Sequence, residues 1–183
     1  MDDGILGNIT LTALEERLGI QRETKAAGAA PDLVSLLLSI AAKEIGTREE
    51  GTNTGKRVRE YQAATNLEGT GWPWCAAFIC WLFKEAVKPV ALPFRRPTTA
   101  AAFGFEAWGR DNGLTVLKSP QSVRRGDVVV YSFSHVGIAE TDSDSKGTFT
   151  AIEGNTNAAG EREGGAVLRK RRKVRLVRSV VRL

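Results

Sequence analysis

Residues able to attack a carbonyl and shuttle a proton are scarce in this 183-residue chain, which holds two cysteines, Cys75 and Cys80, and one histidine, His135. Cys75 follows Trp72-Pro73-Trp74 and opens an apolar run, Ala76 to Val87, in which Phe78, Ile79, Leu82, Phe83 and Ala86 recur at helical spacing. Pro73 is excluded from a helix interior and pushes Trp72 into an extended conformation, so a helix is predicted to begin at or just after Trp74. Cys75 then falls in the first turn, where unpaired N–H groups and the positive end of the helix dipole favour an anion. A thiol so placed titrates below its free value of roughly 8.5, and the thiolate is the nucleophile. The competing reading is a buried helix that happens to contain a cysteine, since free cysteine is among the most buried residue types.

Cys80 lies five residues on, rotated by about 140° around the same helix, too far for a strain-free disulfide with Cys75. It is expected in the core. With one histidine in the chain, neither the number nor the spacing of these residues suits zinc. Any Cys–His pair therefore has its histidine chosen by elimination.

The elements that must carry His135 read as sheet. Arg125-Gly126-Asp127 turns into the strand Val128–Tyr131, His135–Thr141 is a second strand, and Thr148–Glu153 a third. Between the last two, Asp142-Ser143-Asp144-Ser145-Lys146-Gly147 is a tight polar turn. A hairpin symmetric about Asp144–Ser145 has antiparallel pairs summing to roughly 288–290, which sets His135 opposite Glu153 or Asn155. Residues two apart share a face, so the ring has a carboxylate and an amide within reach. A catalytic imidazole needs such an acceptor to fix its tautomer; a structural histidine would bond to any polar neighbour.

Upstream, helices are expected from the Asp32 cap to about Ile45 and over Lys56–Ala64, the latter carrying Val58 and Tyr61 inward. Thr98–Trp108 is weakly helical, with Phe103 and Trp108 as core residues. Residues 1–30 are expected to form a separate short helix around Leu11, Leu14 and Leu18 followed by a linker, and residues 31–183 one domain.

Hydrophobic content of 42% and charged content of 26% are those of a soluble globular protein. No apolar stretch reaches the ~18 residues of a membrane span, and the acidic N-terminus lacks a secretory pattern, so cytoplasmic synthesis without a signal peptide is expected. Of the net +5, the segment Ala166–Leu183 supplies eight Arg or Lys and no acid, leaving −3 for the rest. Its later part alternates as a solvated strand face does. Attraction to an anionic polymer is a second reading. Nucleic acid is a poor third, because the run has no aromatic residue for base stacking.

Trp-Pro-Trp-Cys, Gly126-Asp-Val-Val-Val-Tyr131, His135-Val-Gly-Ile138 and Ile152-Glu-Gly-Asn-Thr-Asn157, in that order, resemble the CHAP family of cysteine, histidine-dependent amidohydrolase/peptidases. The resemblance runs from about residue 32 to the C-terminus. It implies an α+β, papain-like fold in which N-terminal helices, with the nucleophile at a helix start, pack on an antiparallel sheet. It also implies cleavage of a peptidoglycan amide, as N-acetylmuramoyl-L-alanine amidase or endopeptidase, by an endolysin or autolysin that reaches the wall after release or delivery. Cys75 would be the nucleophile, His135 the base and acid, Glu153 the orienting acceptor and Asn155 its polar companion. Trp72 and Trp74 either line the substrate groove or pack in the core.

The implied partner is bacterial peptidoglycan, with anionic envelope polymers a further partner for the basic C-terminal segment. No cofactor, metal, nucleic acid or membrane insertion is expected, and the protein should act as a monomer. Residues 142–153 match an EF-hand loop except at Lys146, which supplies no oxygen ligand, and strands rather than helices flank them. Some family members bind calcium through an acidic loop upstream of the cysteine, but Arg48–Asn53 does not align to a ligand set. Two rivals are an amidase acting on a non-wall amide, such as a toxin or effector, and a wall-binding module without turnover.

Overall fold

A computed structural model describes residues 32–183, so the helix and linker expected in residues 1–30 lie outside the described residues. Among the described residues, four α-helices precede a sheet. Helix α1 (Leu33–Lys43) starts where Asp32 accepts the Ser35 N–H at 2.9 Å, satisfying a donor that the first turn would otherwise leave unpaired. α2 (Lys56–Gln62) buries Val58 and Tyr61, as its spacing requires. α3 (Cys75–Ala86) is the central helix, with ten of its twelve residues buried. α4 (Gly104–Asp111) begins later than expected and leaves Phe103, placed in the core by sequence, 40% exposed at its N-cap position.

The strands are β1 (Thr115–Lys118), β2 (Val128–Tyr131), β3 (His135–Ala139), β4 (Thr148–Thr156), β5 (Ala166–Lys173) and β6 (Val177–Arg182). They form one antiparallel sheet in the order β1-β6-β2-β3-β4-β5. The result is the α+β arrangement with the cysteine helix packed on the sheet. β3 and β4 pair as Ile138↔Ile152 and Ala139↔Ala151, a sum of 290, within the range expected from the turn. That turn is held by Asp144, whose Oδ1 accepts the Lys146 and Thr148 N–H groups.

Strand alternation sorts the sheet into two apolar layers. Val128, Val130, Val136, Ile138 and Ile152 join the helices in the main core. Val129, Tyr131, Ala139, Phe149 and Ala151 form a second cluster. Helix α3 sits very close to β4: a Cβ added at Gly154 would lie 2.7 Å from Phe78 Cβ and 2.9 Å from Trp74. Only glycine permits that approach, and the approach brings the start of α3 to the strand that carries Glu153.

The basic C-terminal segment alternates over Leu168–Arg171 as a solvated strand face does, with Arg169 and Arg171 exposed, but part of it is paired within the fold. Arg172 is buried against Glu153, Arg182 forks onto Asp127, Arg169 pairs with Glu140 and Arg178 with Glu106. Four of its eight cations are thus paired with acids, although β5 is the last strand of the sheet and Arg169 and Arg178 stay about half exposed.

Candidate active site

Cys75 stands at the first position of α3. The first turn closes with the Phe78 N–H donating to the Trp74 carbonyl at 2.9 Å, and no side chain caps the helix start. The N–H groups ahead of Phe78 therefore lack intrahelical acceptors, and that of Cys75 adjoins its own thiol. Cys75 is 6% exposed and borders a cleft of about 260 Å³ whose other walls include Trp72, Pro73, Phe103, Ser134 and Arg162. Cys80 is different. It is fully buried, donates to the Thr99 carbonyl at 3.3 Å, and burial pushes its thiol up to about 12.

His135 opens β3 and is fully buried. Its Nε2 lies 3.0 Å from Glu153 Oε2. Nδ1 has no hydrogen-bond partner, so it is the ring nitrogen left free for the neighbouring Cys75 thiol. Burial alone would drive the ring toward neutrality. Hydrogen bonding and Coulombic attraction to Cys75 and Glu153 outweigh it and raise the ring pKa from 6.5 to about 9. The ring continues a stack with Phe133 and Tyr131, at centroid separations of 5.8 and 5.9 Å.

Glu153 is the most heavily bonded side chain here. Oε1 accepts from Tyr131 Oη at 2.8 Å and from Arg172 Nε at 2.8 Å; Oε2 accepts from Arg172 Nη2 at 2.6 Å as well as facing His135. Burial favours the neutral acid, but Arg172 and then His135 more than offset it and hold the carboxyl at about 2. The carboxylate reaches the ring across Gly137, where an added Cβ would come within 2.7 Å of Glu153 Cγ. Arg172 also donates to the Gly160 carbonyl at 3.0 Å and lies over the Tyr131 and Phe133 rings.

The remaining expectations divide. Asn155 is 1% exposed in left-handed backbone (φ 55°), where the β4–β5 register shifts, and neither atom of its amide has a partner. Its backbone suits asparagine, which tolerates that region better than most residues. The acceptor on His135 is Glu153. Trp72 lines the cleft. Trp74 does not: it is fully buried, stacks on Tyr61 at 5.4 Å and donates its Nε1–H to Glu49 at 3.0 Å, so it belongs to the core.

Tyr131, Arg172 and Arg162 were not singled out by sequence reasoning. Tyr131 and Arg172 were recoverable in principle, since Tyr131 directly precedes the turn into His135 and Arg172 falls on the buried side of β5. Arg162 sits in a loop with no periodic signal. Among the described residues, no cluster of three or more His, Cys, Asp or Glu is placed to hold a metal ion. Nor is any helix among them long and apolar enough to cross a membrane.

Such an arrangement has the parts for nucleophilic acyl transfer: a thiol with an imidazole beside it, an ionised acceptor behind the imidazole, and an unpaired N–H where an oxyanion would form. Residues 67–155 match the family model of the CHAP domain, a span that contains Cys75, His135, Glu153 and Asn155. No curated protein matches the chain. Among solved structures, a wild-type endolysin, LysIME-EF1, is similar at 18% identity and a TM-score of 0.45, covering 81% of this chain. The chain in turn spans 63% of that endolysin.

Proposed function

We propose that this protein, whose residues 67–155 match the CHAP family model, is a peptidoglycan hydrolase that cuts a wall amide through Cys75. The observation that carries the proposal is the ordered line Cys75–His135–Glu153, with the thiol at a helix start and the carboxylate held ionised by Arg172. His135 accepts the Cys75 proton, and the thiolate attacks the amide carbon to form a C–S bond. The Cys75 N–H stabilises the tetrahedral oxyanion. His135 then protonates the amine as the C–N bond breaks. Water, deprotonated by the same ring, hydrolyses the thioester and restores the thiol.

Glu153 keeps the Nε2–H in place and stabilises the imidazolium, as the carboxylate of a serine-protease triad does. Asn155, with an unpartnered amide two residues on, is a secondary polar contributor. Trp72 offers an apolar wall for a stem peptide or glycan. The catalytic unit comprises residues 31–183, acts as a monomer, and works on the wall after release or delivery.

Digestion of purified sacculi, followed by mass spectrometry of the new termini, tests the proposal. Release of muramoyl lactyl ends with free L-alanine amines identifies an amidase; new termini within the stem or cross-bridge identify an endopeptidase. No new termini, with hydrolysis of some other amide, would overturn the wall assignment.

A further inference from the structure

The Cys75 cleft has a larger neighbour. A cleft of about 640 Å³ is bordered by Lys146, Lys173, Arg175 and Arg178, and no acidic residue lines it. No residue lines both clefts, but their walls approach each other in two places. Ser132 borders the basic cleft and Ser134 the Cys75 cleft, with Phe133 between them. On the other side, the Arg178 guanidinium lies 4.7 Å from the centroid of Phe103, which lines the Cys75 cleft.

The four cations are not equally spent. Arg178 is paired with Glu106 at 2.7 Å. Lys173 donates to the Lys146 carbonyl and to Thr148 Oγ1, both neutral, and after the Thr148 and Lys146 N–H groups its charge also helps to lower the pKa of Asp144 nearby. The side chains of Lys146 and Arg175 are exposed and have no partner among the described residues. Allowing for Glu106 and Asp144, the cleft keeps two uncompensated positive charges. Two like charges held beside one concavity, with serine and glutamine at its wall, form an anion site rather than a folding device.

We propose that this basic cleft binds stem-peptide carboxylates of the same polymer whose amide lies at Cys75. The inference rests on the reading of the protein as a wall hydrolase, and it is the nearness of the two cleft walls that selects the substrate itself as the ligand. A polymer strand lying across Phe103 and the Ser132–Ser134 turn brings the carboxylates of one stem to Lys146 and Arg175 while a neighbouring amide occupies the nucleophile's cleft. The site adds binding and orientation and takes no part in bond making.

The test is co-sedimentation of the full chain carrying Cys75→Ala, so that binding is read without turnover. The sacculi are first stripped of phosphodiester polymers by hydrofluoric acid and then either left as they are or amidated at their carboxyls. The carboxyl-bearing sacculi should bind, and adding Lys146→Ala and Arg175→Ala should weaken binding by about tenfold at low ionic strength and flatten its salt dependence. Amidated sacculi should bind both proteins equally weakly. Lys146→Glu serves as a second variant and should be weaker still.

Equal binding by the parent and double variant would overturn the proposal. So would binding that disappears with the phosphodiesters, which would make the ligand a phosphate polymer. Carboxylate-dependent binding by a protein that releases no wall termini in its Cys75 form would instead sink the hydrolase reading and leave this site standing.

Discussion

Replacing Arg172 by methionine is the sharpest test of how the site is held. Methionine keeps the unbranched apolar stem on β5 but removes the fork that donates to both oxygens of Glu153 at 2.8 and 2.6 Å. Two routes give the size of the loss. Glu153 is held at about 2 against an ordinary 4.5, and that shift corresponds to about 3 kcal/mol. Removing one partner of a buried ion pair costs about 3–5 kcal/mol, and Arg172 and Glu153 side chains are 8% and 0% exposed. At roughly 2–4 °C per kcal/mol for a domain of this size, Tm at pH 7 should fall by about 6–12 °C.

The pH dependence has a definite sign. Because the folded-state pKa of Glu153 is depressed, its contribution is present in full above pH 4.5 and is lost as pH falls through about 2. The parent should therefore lose its advantage over Arg172→Met across that window. Urea unfolding at pH 7 and at pH 2.5 measures both effects. A variant within about 0.5 kcal/mol of the parent at pH 7, or a gap at pH 2.5 as large as that at pH 7, refutes the reasoning. Arg172→Lys keeps the charge without the fork and should recover part of both stability and lysis rate.

Further outcomes follow from the same geometry. Cys75→Ala should abolish sacculus lysis, whereas Cys80→Ala should keep most of it and lose only stability; equal loss in two folded variants would remove Cys75 from its role. By NMR the His135 ring should titrate near 9, falling toward its ordinary value in Cys75→Ala; its stabilising contribution is complete below pH 6.5 and disappears as pH rises through about 9. Glu153→Gln should lower kcat by about tens-fold or more, with Asn155→Ala less damaging, both checked on sacculi with folding verified by circular dichroism. The reverse order would make the amide the orienting group. Gly137→Ala should mimic Glu153→Gln in activity while leaving the charge in place, because its Cβ would meet Glu153 Cγ at 2.7 Å.

What was legible in the chain is what obeys local rules. Pro73 and the apolar period after it set the start of α3 at Cys75, and turn chemistry at residues 142–147 set the β3–β4 register that brings His135 and Glu153 together. Both depend on short-range geometry that a sequence carries explicitly. Arg172 shows the opposite case. Its charge argued for solvent, and only pairing across β4 and β5, where Phe149 stands opposite it, turns it inward beneath Glu153. The places of Trp74, which sequence left between groove and core, and of Phe103, which it put in the core, are settled by tertiary contacts of the same kind. Trp74 is buried because Tyr61 and Glu49 receive its ring and its N–H, whereas Phe103 is left at the surface by a helix that starts one residue after it. The result is a division of labour within the site. The proton-exchanging pair is specified locally, but the acidity of its carboxylate and the walls of its clefts are tertiary properties. Substitutions at Arg172, Gly137 and Phe103 should therefore tune activity without touching a reacting atom.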